Sequence, residues 1–208
     1  IEKVGKNVKN FKIGDRVMIS HHVPCMKCHY CLNNHHTACE TLHKTNIDPG
    51  GFAEYIRIPK INVELGTFKL PENVSFEEGT FVEPLGTVVR AQRLANLKEN
   101  QTLLIIGSGI SGLIHIKLAK AKKAKKIIAV DINEYRLNVA KKFGADFIIN
   151  ANEDVISKLK EFNENRLADL VIICTGALPA AKLALQCADK GGTILFFAVP
   201  KPDENLEI

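Results

Sequence analysis

The apolar run Leu103-Leu104-Ile105-Ile106 passes directly into Gly107-Ser108-Gly109-Ile110-Ser111-Gly112, and a helical pattern follows. No other stretch restricts the fold as strongly. Four consecutive apolar residues bounded by glycine read as a strand buried on both faces, the kind found in parallel sheets. Glycines mark many turns, so G-x-G-x-x-G alone is weak evidence. It gains weight from lying between a buried strand and a helix start. There Gly107 allows the tight turn, Gly109 the close approach of a pyrophosphate, and Gly112 close packing of helix on strand. The helix N-terminus adds unpaired N–H groups and the positive end of a dipole. Gly107, Ser108, Gly109, Ile110, Ser111 and Gly112 are therefore the first candidate cofactor contacts.

The surrounding pattern agrees with a dinucleotide domain. After a helical stretch at 86–96, strands expected at 102–106, 126–130, 147–149, 170–174 and 193–198 alternate with helices at 111–122, 134–143, 153–162 and 178–188. Such alternation predicts an α/β, doubly wound parallel sheet with helices on both faces. Five strands are visible where that fold has six, so the sheet is expected to be incomplete. The second strand ends Ala129-Val130-Asp131, and Asp131 lies nineteen residues after Gly112. A carboxylate there accepts hydrogen bonds from the adenosine ribose hydroxyls and repels a 2′-phosphate, which selects NAD over NADP. Nothing else in the sequence suggests a flavin.

Residues 1–85 read differently, as short strands and loops bounded by Gly, Pro and Asn: Val17-Met18-Ile19 after a turn, and an alternating Ala53–Ile58 after Gly50-Gly51. This is expected to be an irregular, mainly β domain, followed by the nucleotide domain at 86–208. Inside it lies C-x2-C-x2-C-x7-C, at Cys25, Cys28, Cys31 and Cys39. Steps of three let a tight loop aim successive thiolates at one point, and four sulfurs about 2.3 Å from zinc close a tetrahedron with no position left for water. Such a site is structural. A ferredoxin-type cluster begins the same way but continues with three residues and Cys-Pro; here the gap is seven and Glu40 follows. The neighbouring histidines are read as loop and surface residues, and Cys174 and Cys187 as small buried ones.

Composition excludes several classes. With 46% apolar and 25% charged residues this is ordinary globular material. No run of about 18 apolar residues suggests a membrane span. The net charge of +5 derives largely from lysines around 117–126. They have no interleaved aromatics to stack on bases, so they read as a solvated helix end and not a nucleic-acid surface. Ile1-Glu2-Lys3-Val4-Gly5 shows neither a signal peptide nor an initiating Met, as expected of a piece cut from a longer chain.

Both motifs in this order, with Gly14-Asp15-Arg16-Val17, Pro24 before the cysteines, Gly50-Gly51-Phe52-Ala53-Glu54-Tyr55, Glu83-Pro84-Leu85 and Arg136-Leu137, resemble the zinc-containing medium-chain alcohol dehydrogenases. The likeness is greatest to the branch with sorbitol, polyol and L-threonine dehydrogenases. It implies part of a GroES-like catalytic domain joined to a Rossmann-type NAD domain. It also implies a second, catalytic zinc that acts as a Lewis acid on a small alcohol or polyol. By the resemblance Glu83 lies at that zinc, as ligand or hydrogen-bonded to its water. Arg136 approaches the adenosine ribose, and Cys174, Thr175 and Gly176 line the cofactor path with Phe197, Ala198 and Val199. The family's other catalytic ligands are expected upstream of Ile1 and its closing strand beyond Ile208, which makes the 208 residues inactive alone. A cytoplasmic homo-oligomer, dimer or tetramer, is implied for the full-length protein. The alternative is a noncatalytic module that binds NAD and structural zinc.

Overall fold

The computed structural model describes residues 1–200 and residue 204. The chain divides into two compact units, Ile1–Glu83 and Pro84–Ile208, where the sequence suggested a boundary at 85/86.

Regular structure is sparse in the first unit. Val17–Ile19 (β1) is followed by three helices, His29–Leu32 (α1), Glu40–Lys44 (α2) and Lys60–Gly66 (α3). Thr67–Lys69 (β2) then pairs antiparallel with β1, setting Val17 opposite Lys69. Phe76–Gly79 (α4) opens with a reciprocal capping box between Ser75 and Glu78. The alternating Ala53–Ile58 does not form the expected strand. Only Arg57 pairs, exchanging N–H···O bonds of 2.7 and 3.1 Å with Asp48, and Phe52 and Tyr55 stand exposed. Alternation prepares a strand, but a ladder needs a continuous neighbour. The sequence reading did not anticipate α3. Its Asn62 is buried and donates to the carbonyls of Ser20 and His21, both at 2.9 Å, which docks the helix beside β1.

Val82–Leu94 (α5) starts earlier than the expected 86, two residues before the second unit begins. From there the second unit follows its pattern closely, with Thr102–Ile106 (β3), Ile110–Ala121 (α6), Lys126–Asp131 (β4), Glu134–Phe143 (α7) and Phe147–Asn150 (β5). Val155–Phe162 (α8), Ala168–Ile173 (β6), Leu178–Cys187 (α9) and Ala188–Phe196 (β7) complete it. The five strands are parallel in the order β5-β4-β3-β6-β7. This matches five positions of the doubly wound order, with the reversal of direction between β3 and β6. Every residue of β3 is buried. Alternate side chains divide between two cores: Leu104, Ile106, Ile128, Val130, Val171 and Ile173 on one face, Leu103, Ile105, Ile127, Ala129, Leu170 and Ile172 on the other. That is period-two geometry with helices covering both sides. β7 starts earlier than expected, at Ala188 opposite Ala168, and absorbs Gly191-Gly192 through a shift in register. Lys120, Lys125 and Lys126 of the lysine cluster pair with Asp146 and Glu164 at 3.1 to 3.5 Å. No helix among the described residues is long and apolar enough to cross a membrane.

A titratable imidazole is among the polar groups buried in this unit. His115 of α6 is fully buried, with Phe197 edge-on to its ring at 4.7 Å. The Gln92 amide donates to its Nδ1 at 3.2 Å and to its carbonyl at 2.9 Å. Burial, and secondarily the charge of Lys122, pull this imidazole down to about 4. The fold therefore holds it neutral. Below about pH 6.5 the unfolded chain takes up a proton that the folded chain refuses until about pH 4. Stability present above the unfolded value is lost as the pH falls through this window, by up to about 3 kcal/mol. We expect the denaturation midpoint to fall between pH 6.5 and 4 and His115→Leu to flatten that slope. An unchanged slope in the variant would assign the acid sensitivity to other groups.

Candidate cofactor and metal sites

The three loop glycines serve different physical needs. Gly107 continues the β3 ladder by donating its N–H to the Val130 carbonyl at 2.8 Å. Its φ is +100°, and a Cβ there would lie 3.0 Å from the Cys174 backbone. A Cβ on Gly112 would stand 2.0 Å from the Gly107 carbonyl oxygen, so α6 reaches the end of β3 only without a side chain. Gly109, which caps α6, has nothing within 4 Å of its Cβ position. The protein itself does not require that glycine, and its open face is where a ligand would approach. Ser108 is fully buried and contributes its backbone, while Ile110 is 63% exposed.

Asp131, the last residue of β4, is 6% exposed and adjoins this loop. Its Oδ2 accepts the Ser108 N–H at 2.7 Å and its Oδ1 the Asn133 N–H at 2.9 Å. Asn133, absent from the sequence expectations, caps α7 by accepting the Arg136 N–H at 3.2 Å. Asparagine at the start of a helical pattern was its available signal. The Arg136 Nη1 lies 4.0 Å from Asp131 Oδ2. Cys174 leaves β6 with its N–H on the Ile106 carbonyl at 2.7 Å, and burial pushes its thiol up to about 12. Gly176 passes so near Val199 that a Cβ would meet the Val199 carbonyl at 2.8 Å. Ala198 donates its N–H to the Ile173 carbonyl at 3.0 Å, and the Val199 side chain is exposed. A small apolar pocket of about 70 Å³ opens here, lined among others by Ile173, Thr175, Leu178, Phe196 and Ala198. Leu178 and Phe196 were not among the expected lining. The expected dinucleotide residues thus meet at the C-terminal edge of the sheet, around the reversal between β3 and β6, where open α/β sheets bind ligands.

The cysteines converge within the first unit. Met26, with φ of +59°, turns the chain between Cys25 and Cys28, and Asn34 at +62° turns it after α1. Thr45 ties the loop's base by accepting the Val23 N–H on its hydroxyl at 2.8 Å and the His22 Nδ1 donor on its carbonyl at 2.6 Å. All four sulfurs lie within 4.8 Å of one another, with 3.5 Å between Cys28 and Cys31 and 4.0 Å between Cys25 and Cys31. A tetrahedral zinc bound at about 2.3 Å requires sulfurs about 3.8 Å apart, so the set fits the ion. Its thiols differ in their surroundings. The Cys25 N–H, 3.4 Å from the Cys39 sulfur, holds that thiol down to about 6, while burial and the Cys28 thiol push Cys31 up to about 12. A central divalent cation favours all four thiolates together. Among the described residues no other three His, Cys, Asp or Glu side chains could hold a metal. Glu83 is exposed in the first turn of α5 and belongs to no such cluster.

Family models match both parts of the chain: an alcohol dehydrogenase GroES-like domain over residues 1–72 and a zinc-binding dehydrogenase over residues 111–208. An L-threonine 3-dehydrogenase of Cronobacter sakazakii is 32% identical over 98% of this chain and 59% of its own length. Galactitol-1-phosphate dehydrogenase of Escherichia coli superposes with a TM-score of 0.84 at 29% identity, over 99% of this chain and 59% of that one. A zinc-binding dehydrogenase of Sinorhizobium meliloti, bound to NADP, gives 0.88 at 25% identity, over 100% and 61%. The chain therefore spans about 59% of the length of the curated relatives it matches.

We expect purified protein to carry about one zinc per chain. Cys39→Ser should lose it and increase amide exchange between residues 20 and 45, leaving β3 and β4 protected. Full zinc content in that variant would show that the cluster is not the site.

Proposed function

We propose that this chain, which belongs to the zinc-containing medium-chain alcohol dehydrogenase family, supplies the NAD-binding unit and the structural zinc of an oxidoreductase acting on a secondary alcohol or polyol. The observation that carries the reading is the glycine loop packed on the end of β3, with the Asp131 carboxylate beside it. NAD, when bound, supplies the hydride acceptor. The N–H groups at the start of α6, beside the open face of Gly109, would hold its pyrophosphate. Asp131 retains one lone pair on each oxygen beyond its two backbone partners, enough to accept the ribose hydroxyls. Its charge disfavours a 2′-phosphate, and Arg136 borders the same ribose site. Cys174, Thr175, Gly176, Ala198 and Val199 border the path toward the nicotinamide, where apolar walls exclude water. Cys25, Cys28, Cys31 and Cys39 hold zinc as a brace, with no position left for substrate.

Glu83 is the carboxylate this chain offers to a catalytic zinc, the remaining ligands coming from the rest of the full-length polypeptide. In that role it would ligate the ion or orient its water. The substrate class is small secondary alcohols, amino alcohols and polyols, and the working form is a cytoplasmic homo-oligomer. The 208 residues alone are expected to bind cofactor without turning over.

The test titrates the 208-residue chain with NADH and NADPH by fluorescence. NADH should bind about tenfold or more tightly than NADPH, since like charges in apposition cost several kcal/mol. Gly112→Ala should abolish binding. With full-length protein and a panel of polyols, L-threonine and simple alcohols, Glu83→Gln should lower kcat by about a hundredfold. Tighter NADPH than NADH would overturn the NAD assignment, and undiminished turnover would remove Glu83 from the mechanism.

A further inference from the structure

Resting on the dinucleotide reading above, we infer that Asp131 is the tether that holds the glycine loop in its binding conformation, as well as the reader of the ribose.

The loop is joined to β4 at two successive points. Gly107 donates its N–H to the Val130 carbonyl at 2.8 Å, as the last rung of the parallel ladder. As the next residue along β4, Asp131 turns its backbone the other way, and its carbonyl accepts the Ala151 N–H at 3.0 Å on the β5 side. Its side chain reaches back toward the loop, with Oδ2 2.7 Å from the Ser108 nitrogen. One residue thus spends its backbone on one neighbour and its carboxylate on the other. Its second oxygen fastens the chain on the far side by accepting the Asn133 N–H at 2.9 Å, which sets the approach to α7.

Ser108 is fully buried, so no water stands ready to replace the carboxylate at its N–H. A buried donor deprived of its acceptor bears the full desolvation cost. The Ser108 hydroxyl has no hydrogen-bond partner among the described residues, so its side chain does not pin this residue. With the tether lost, the turn that presents Gly109 and the start of α6 has a reason to move. The usual account of a carboxylate at this strand end makes it a discriminator, whose removal admits a 2′-phosphate. In this chain the same removal releases the loop that binds the pyrophosphate common to both dinucleotides. A small neutral residue at position 131 therefore weakens NAD without conferring NADP.

The experiment compares the wild-type 208-residue chain with Asp131→Ala and Asp131→Asn, reading amide exchange residue by residue and titrating NADH and NADPH. In Asp131→Ala the Ser108 amide should exchange about tenfold faster or more while Leu104 and Ile128 stay protected. NADH should bind at least about tenfold more weakly, and NADPH no more tightly than to wild type. Asp131→Asn, with one carbonyl oxygen for two amides, should fall between, a partial rescue that a pure charge effect would not produce. An unchanged Ser108 exchange rate, or an NADPH affinity above wild type, overturns the inference. If Asp131→Ala does not fold, Asp131→Asn decides by the same measurements. If the wild type binds neither dinucleotide, the NAD reading fails, and the exchange comparison still decides whether the tether exists.

Discussion

The absent side chain of Gly112 governs the cofactor unit. A methyl group there would lie 2.0 Å from the Gly107 carbonyl oxygen, far inside van der Waals contact. Without it, α6 comes down onto the end of β3 and its first amides face the turn. Gly107 in turn must bend where the Cys174 backbone passes 3.0 Å from its Cβ position. The two contacts lock together the end of β3, the start of α6 and the segment after β6. A packed interior transmits such constraints because it has few voids to absorb them. The site is thereby placed by sterics before any ligand arrives.

The first unit is organised on other terms. Helices of four and five residues, such as α1 and α2, are too short to persist alone. Around them the chain carries left-handed residues at Met26 and Asn34 and four sulfurs drawn to within 4.8 Å of one another. A zinc ion can contribute roughly 10 kcal/mol to ordering such a segment, enough to replace an extended apolar core. The closed thiolate set also limits its chemistry. With no coordination position for substrate, a zinc bound there would brace the loop without reacting.

Legibility along the chain followed the range of the forces involved. The β3 strand, the bounds of α7 and the end of β4 could be read directly, since each is set by residues close in sequence: a fully apolar run, an Asn133 cap, and Gly144 at φ +115° after the helix. Ala53–Ile58 was misread because alternation reports a capacity to pair and says nothing of whether a partner is there. The helix α3 escaped notice because its anchor, Asn62, bonds to carbonyls more than forty positions away. The early start of β7 was missed because Gly191-Gly192 reads as a loop until Ala168 is seen opposite Ala188.

Identity and spacing were enough to name the family. Four cysteines in a metal-binding rhythm, three glycines between strand and helix, and a carboxylate at the next strand end are all local patterns with local causes. Folding added the division of labour among those residues. It revealed that Gly109 alone of the three loop glycines faces open space, and that Ser108 works through its amide. It also joined the Asp131 carboxylate to a residue 23 positions earlier in the chain. Such assignments depend on which groups close packing brings within 3 Å of each other, and distance along the chain carries no record of that.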